Sequence, residues 1–266
     1  MARLHPSRWR RAIVAALSAA SFLACTLTAD LDRHRADPAL AAGADGAAAP
    51  SDGGAGLDSG VDGGCPSEGM VFFCDDFDRS EQDVRGAWDA LDVRGGATIR
   101  IAPGDGDKLL DVMAPAGDAL ATLERSFAGG VRARHFFYEF DVRYDALPTE
   151  GSYIVARVAF QTGSEYALSY VYASAETFRY AEQRVPRDYR HEPLAIGAGE
   201  WHRVTVEFTI GGDTRVAVDG ADAFAVRPTA SYFAPGPPEL MVGVASAEEL
   251  APGFGVQLDR VRFFAE

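Results

Sequence analysis

The sequence predicts an all-β protein: a two-sheet antiparallel jelly-roll sandwich of about a dozen strands, preceded by a signal peptide and a disordered linker. Three observations lead there. Beyond Cys65, apolar residues recur at every second position in short runs. Clusters of Gly, Pro and Asp break those runs at turn-like intervals. No stretch after residue 65 carries a long apolar stripe at helical spacing.

The chain opens with Arg3, Arg8, Arg10 and Arg11, then an apolar run from Ala12 to Ala24. That run is short for a bilayer span, which takes about 20 residues, and reads as the core of a signal peptide. It ends in "SFLAC", which resembles the lipobox of bacterial lipoproteins, where the cysteine is lipidated and becomes the first residue after cleavage. The resemblance implies a leader over 1–25 and an acyl anchor on Cys25. Phe22 and Leu23 depart from the usual residues at their places, and ordinary secretion with cleavage nearby is the alternative. Thr26 rather than Asp follows the cysteine, which by the same resemblance implies an outer-membrane lipoprotein of the cell envelope, periplasmic or surface-facing.

Residues 26–64 are dominated by Ala, Gly, Asp and Ser. Such a segment buries too little apolar surface to offset its ordering entropy, so it reads as a disordered tether, with a reach of about 30–35 Å. With Cys25 lipidated, Cys65 and Cys74 remain as a pair in an oxidising compartment. A disulfide closing that short loop contributes about 2–3 kcal/mol. The two could instead ligate metal, but no further Cys and no nearby His completes a zinc set.

Losing the four leader arginines takes the net charge from −14 to −18. So acidic a chain, without a basic run, excludes nucleic acid as a partner and leaves membrane contact to the lipid anchor alone.

The strands of the domain, 65–266, follow in order. "MVFFCDDF" opens the series; "GATIRIA", "KLLDVMAP", "ALATLERSF", "HFFYEFDVRY" and "YIVARVAFQ" come next. "YALSYVYAS", "TFRYAEQ", "HRVTVEFTI", "TRVAVDG", "AFAVRP", "ELMVGVAS" and "FGVQLDRVRFF" complete it. In "WHRVTVEFTIGGDTRVAVDG", Val204, Val206, Phe208 and Ile210 share one face, Gly211-Gly212-Asp213 turns the chain, and Asp219-Gly220 signals a second hairpin. A Trp-His opening a strand, a turn and a second strand ending in "VDG" resemble the concanavalin A-like and laminin-G-like sandwiches of the lectin/glucanase superfamily. "FCDDFD" followed by Trp88 resembles their opening strand and "VQLDRVRFF" their closing strand. The resemblance implies the fold better than the function, because this scaffold hosts lectins, adhesion modules, hydrolases and lyases.

Glu139 and Asp141 resemble the start of the catalytic strand of family 16 glycoside hydrolases, but Arg143 or Tyr144 stands where the acid/base carboxylate belongs. Without that proton donor the retaining mechanism has no first step. Tyr138, Phe140, Val142 and Tyr144 form the opposite, core-facing side. In the next strand Ile154, Ala156, Val158 and Phe160 are expected inward, with Arg157 and Gln161 outward. If these strands are neighbours, Glu139, Asp141, Arg143, Arg157, Gln161 and Ser169 make one polar face suited to sugar hydroxyls. Tyr166, Tyr170 and Tyr172 share parity with Leu168 and are expected to point into the core. Asp76 and Asp259 are candidate ligands for a structural Ca²⁺, which the resemblance implies at the opening and closing strands. Turn capping is the alternative.

The expected function is a surface-anchored, non-catalytic module binding a glycan or another extracellular macromolecule. A glycan-cleaving hydrolase or lyase with nonstandard residues, and a structural module binding another protein, are the alternatives.

Overall fold

The computed structural model describes residues 72–104, 107–117, 119–127, 132–162, 165–185, 187–234, 236–246 and 253–266. The chain divides into two units, Met1–Pro66 and Ser67–Glu266, and every described residue lies in the second. The leader, the tether, Cys25 and Cys65 lie outside the described residues.

The strands are β1 (Phe72–Asp75), β2 (Ala90–Arg94), β3 (Thr98–Pro103), β4 (Lys108–Ala114), β5 (Leu120–Ser126), β6 (His135–Arg143), β7 (Ser152–Thr162) and β8 (Glu165–Ser174). They continue as β9 (Phe178–Val185), β10 (Arg187–Leu194), β11 (His202–Thr209), β12 (Asp213–Val218), β13 (Ala221–Asp222), β14 (Arg227–Pro228), β15 (Pro238–Ser246) and β16 (Phe254–Ala265). One short helix, α1 (Glu81–Ala87), is capped by Ser80, whose Oγ accepts the Asp83 amide, and it buries Val84.

Two antiparallel sheets form. The nine-stranded sheet runs β13-β12-β11-β6-β16-β4-β3, with β1 also on β16 and β14 on β12; the seven-stranded sheet runs β10-β9-β8-β7-β15-β5-β2. The all-β antiparallel sandwich that the alternation predicts is the fold observed. Its core is closed by aromatics from both sheets: Phe136 of β6 meets Phe160 of β7 edge-on at 4.7 Å and stacks with Phe208 of β11 at 5.2 Å.

Four strands differ from the sequence reading. β10 and β2 were not anticipated because both are edge strands, with one partner each, so neither needs an alternating apolar face. The "AFAVRP" strand shrinks to β14, while Ala223 and Phe224 pack against the core. Within β7 the register against β8 shifts between Ile154 and Ala156, a bulge that places both Val155 and Ala156 in the core. Ile154, expected inward, therefore pairs with Tyr172 on the outer face.

The "WHR…VDG" signature has a structural basis. Gly197 donates its amide to His202 Nε2 (3.0 Å), so Nδ1 carries the proton toward Asp219 Oδ2 at 2.7 Å. The other Asp219 oxygen accepts the Arg203 amide at 2.8 Å, tying the β12 turn to the start of β11.

Candidate functional site

The six candidate ligand residues do not share a surface. β6 pairs with β11 and β16, whereas β7 pairs with β8 and β15 in the other sheet. Glu139, Asp141 and Arg143 lie on the outer face of the nine-stranded sheet, and Arg157 and Gln161 on that of the seven-stranded sheet. Ser169 lies between the sheets, fully buried, where its Oγ bridges the hydroxyls of Tyr138 (3.2 Å) and Tyr180 (3.0 Å). Burial holds both phenols well above their ordinary pKa. That chain of hydroxyls runs on to buried Glu182, which also accepts from Thr214 Oγ1 at 2.7 Å and from the Ala230 amide. The single polar face expected from the sequence does not form, because β6 and β7, consecutive in the chain, fall in different sheets.

Glu139 and Asp141 are held by arginines. Arg203 grips Asp141 with Nε on Oδ1 (2.7 Å) and Nη2 on Oδ2 (3.0 Å), and Arg260 Nε reaches Oδ2 at 3.1 Å. The bonds to Asp141 push the Arg203 pKa up. Thr205 Oγ1 donates to Glu139 Oε2 at 3.0 Å, and Arg262 Nη1 lies 3.4 Å from Oε1. The register pairs Glu139 with Arg262, and Asp141 with Asp259. This face is a salt-bridged lattice.

Asp259 lies buried beside that lattice. Burial is the main reason its pKa rises to about 6; the Arg260 amide (2.7 Å) and guanidinium pull it down, while the charges of Asp107 and Asp141 push it up. Asp76 is exposed and accepts the Asp78 amide at 3.3 Å, an Asx turn. Among the described residues no group of three or more His, Cys, Asp or Glu is arranged to hold a metal ion. Cys74, half-buried, sits on β1 opposite Arg262.

The outer face of the seven-stranded sheet carries a different chemistry. One register row crosses all seven strands: His191, Ala181, Tyr170, Arg157, Met241, Glu124 and Ala90. Ala167, Val171 and Ala173 of β8 belong to the core cluster, so Tyr166, Leu168, Tyr170 and Tyr172 lie on its other face, against expectation, although Leu168 and Tyr170 are buried there too. Small Ala167 and Ala173 fill inward places opposite Phe160 and Tyr153, which the parity of Leu168 concealed. Tyr170 and Tyr172 lie 5.6 Å apart, and His191 meets Tyr172 edge-on at 5.8 Å with its Nδ1 2.8 Å from the hydroxyl. Partial burial, then the charge of Arg179, lowers the His191 pKa and leaves its imidazole neutral at pH 7. Tyr170 donates to Gln183 Oε1 at 3.3 Å. Arg157 Nη2 lies between Glu239 Oε1 (3.0 Å) and Glu124 Oε1 (3.4 Å). Glu124 joins this face from β5, where Thr122, Glu124 and Ser126 show the period-two polarity that marks an outer face.

The sequence matches no protein-family model and no curated protein. Solved structures do match in fold. One is a structure of botulinum neurotoxin type C, whose route into cells depends on interaction with two ganglioside molecules: TM-score 0.50, 7% identity, covering 65% of this chain and 43% of that one. Another is the cellulose induced protein Cip1, with TM-score 0.51 and 10% identity, covering 72% of this chain and 96% of that one. The chain thus spans less than half of the neurotoxin chain it matches and nearly all of Cip1. At these identities the common property is the β-sandwich, and the chain is a protein of that fold.

Proposed function

We propose that this chain is a non-catalytic binding module whose seven-stranded sheet receives a glycan on its outer face. The observation that carries the reading is the Tyr170–Tyr172–His191 ladder lying beside Gln183 and the Arg157–Glu124–Glu239 clasp. Aromatic faces next to fixed donors and acceptors are what a sugar ring requires: its C–H face packs on the ring while its hydroxyls bond to the planar groups. The ganglioside-dependent neurotoxin and Cip1 share the sandwich, and the concanavalin A-like or laminin-G-like assignment is part of this proposal.

A glycan array probed with the full-length chain tests it. Tyr172→Ala and His191→Ala are each expected to weaken retention about tenfold, the loss of one stacking or hydrogen-bonding partner. Arg215→Ala, on the other sheet, is expected to change nothing. Absence of retention on every glycan would end the reading, and shortening of a retained glycan would move it to the glycan-cleaving alternative.

The location is also proposed: a leader over 1–25, an acyl anchor on Cys25, a tether over 26–64, a Cys65–Cys74 disulfide, and residence in the outer membrane of a bacterial envelope. Two or more acyl chains anchor stably, where one binds marginally. Cys25→Ala is expected to shift the protein from the membrane to the soluble fraction on detergent partitioning; an unchanged distribution excludes the anchor.

A further inference from the structure

The nine-stranded sheet carries a second feature, one same-face step along β6 and β16 from the Asp141–Asp259 pair of the lattice. One register row runs Arg143, Gln257, Asp111 and Arg100 across β6, β16, β4 and β3. Beside it lies a cleft of about 230 Å³; Asp145 and Leu147 of the loop that follows β6 and Met113 of β4 line it with Arg143, Gln257 and Asp111.

The charges in this cleft are unevenly matched. Asp111 is neutralised by Arg100, whose Nε and Nη2 both reach Oδ2, at 2.8 and 2.7 Å. The Arg143 guanidinium has no hydrogen bond or ion pair among the described residues, and its Nε is buried without a partner. A guanidinium held against protein with an unused N–H forfeits a charge-assisted bond that water or a ligand would otherwise supply. At the lip, Met113 is 50% exposed, one of the few large apolar side chains so placed.

We propose that this cleft binds a small organic monocarboxylate, the acid on the Arg143 fork and its body against Met113 and Leu147. The planar fork matches a carboxylate with two parallel hydrogen bonds. A dianion such as phosphate is disfavoured, because Asp111 and Asp145 line the same space and the chain's net charge is −14. The volume lies below the ~300–1,000 Å³ of sites for drug-sized ligands, so it suits one small unit such as a single sugar acid. This site lies on the opposite sheet from the proposed glycan face, and the two stand or fall separately.

Titration of the full-length chain with D-glucuronate, followed by amide chemical shifts, tests the proposal, with glucose as the analogue lacking the carboxylate and inorganic phosphate as the dianion. Glucuronate is expected to saturate, with glucose and phosphate at least tenfold weaker. Arg143→Gln is expected to weaken glucuronate roughly 10- to 100-fold, the range of a charge-assisted pair, without lowering thermal stability. Met113→Glu, an exposed change that sets a carboxylate at the lip, is expected to weaken it similarly. Equal responses to glucose, undiminished binding in Arg143→Gln, or a loss confined to Tyr172→Ala would each overturn the assignment.

Discussion

Gly243→Ala is expected to destabilise the domain by about 3–5 kcal/mol, lowering Tm by roughly 6–20 °C for a domain of this size. Gly243 has φ 133°, a conformation that residues bearing a Cβ rarely adopt. An added Cβ would stand 2.2 Å from the Ala121 carbonyl oxygen and 2.9 Å from the Thr122 Cα. Both are backbone atoms of β5, the strand paired with β15 at that residue, so no side-chain rotation relieves the clash. The position also falls in the register shift of β15 against β7, between Val242 and Ala245, so the strand is held on both edges. Gly220→Ala is the control: φ is 79°, but nothing lies within 4 Å of the added carbon, so only the conformational cost of about 1–2 kcal/mol applies. Thermal unfolding of both variants separates the terms. Equal losses would show that the β5 contact is absorbed by relaxation.

Asp75→Ala is expected to cost about 3–5 kcal/mol, and Asp75→Asn distinctly less. Asp75 is 1% exposed, yet its carboxylate is fully used. Oδ1 accepts the Phe77 amide at 3.0 Å; Oδ2 accepts Trp88 Nε1 at 2.9 Å and lies 2.7 Å from Arg79 Nη2. The Phe77 bond holds a buried phenylalanine at φ 58°, which a residue with a Cβ does not adopt without support. Alanine would strand the buried indole N–H and release that turn; asparagine keeps one acceptor and loses the charge. Denaturant unfolding monitored by tryptophan emission reads both, and a loss below about 1 kcal/mol in Asp75→Ala would remove the anchoring role. "FCDDFD" with a following Trp88 is thus a buried latch, and its first aspartate works on protein groups.

Much of this protein was determined by local pattern. Period-two alternation in "HRVTVEFTI" specified β11 and its buried side, since a strand against a core allows one register only. The same argument placed Tyr138, Phe140, Val142 and Tyr144 in the core, where all four are buried. Which strands neighbour one another was decided by the tertiary structure. Sequence adjacency made β6 and β7 look like partners, but the chain crosses from the nine-stranded to the seven-stranded sheet between them, and that separated Arg157 and Gln161 from Glu139 and Asp141. Parity fails in the same way at a bulge: one extra residue at Val155 exchanged faces in β7, and small inward alanines hid the outward tyrosines of β8. Alternation along a strand is set by its own backbone, whereas the companions of a side chain across a face are set by pairing that no single strand encodes.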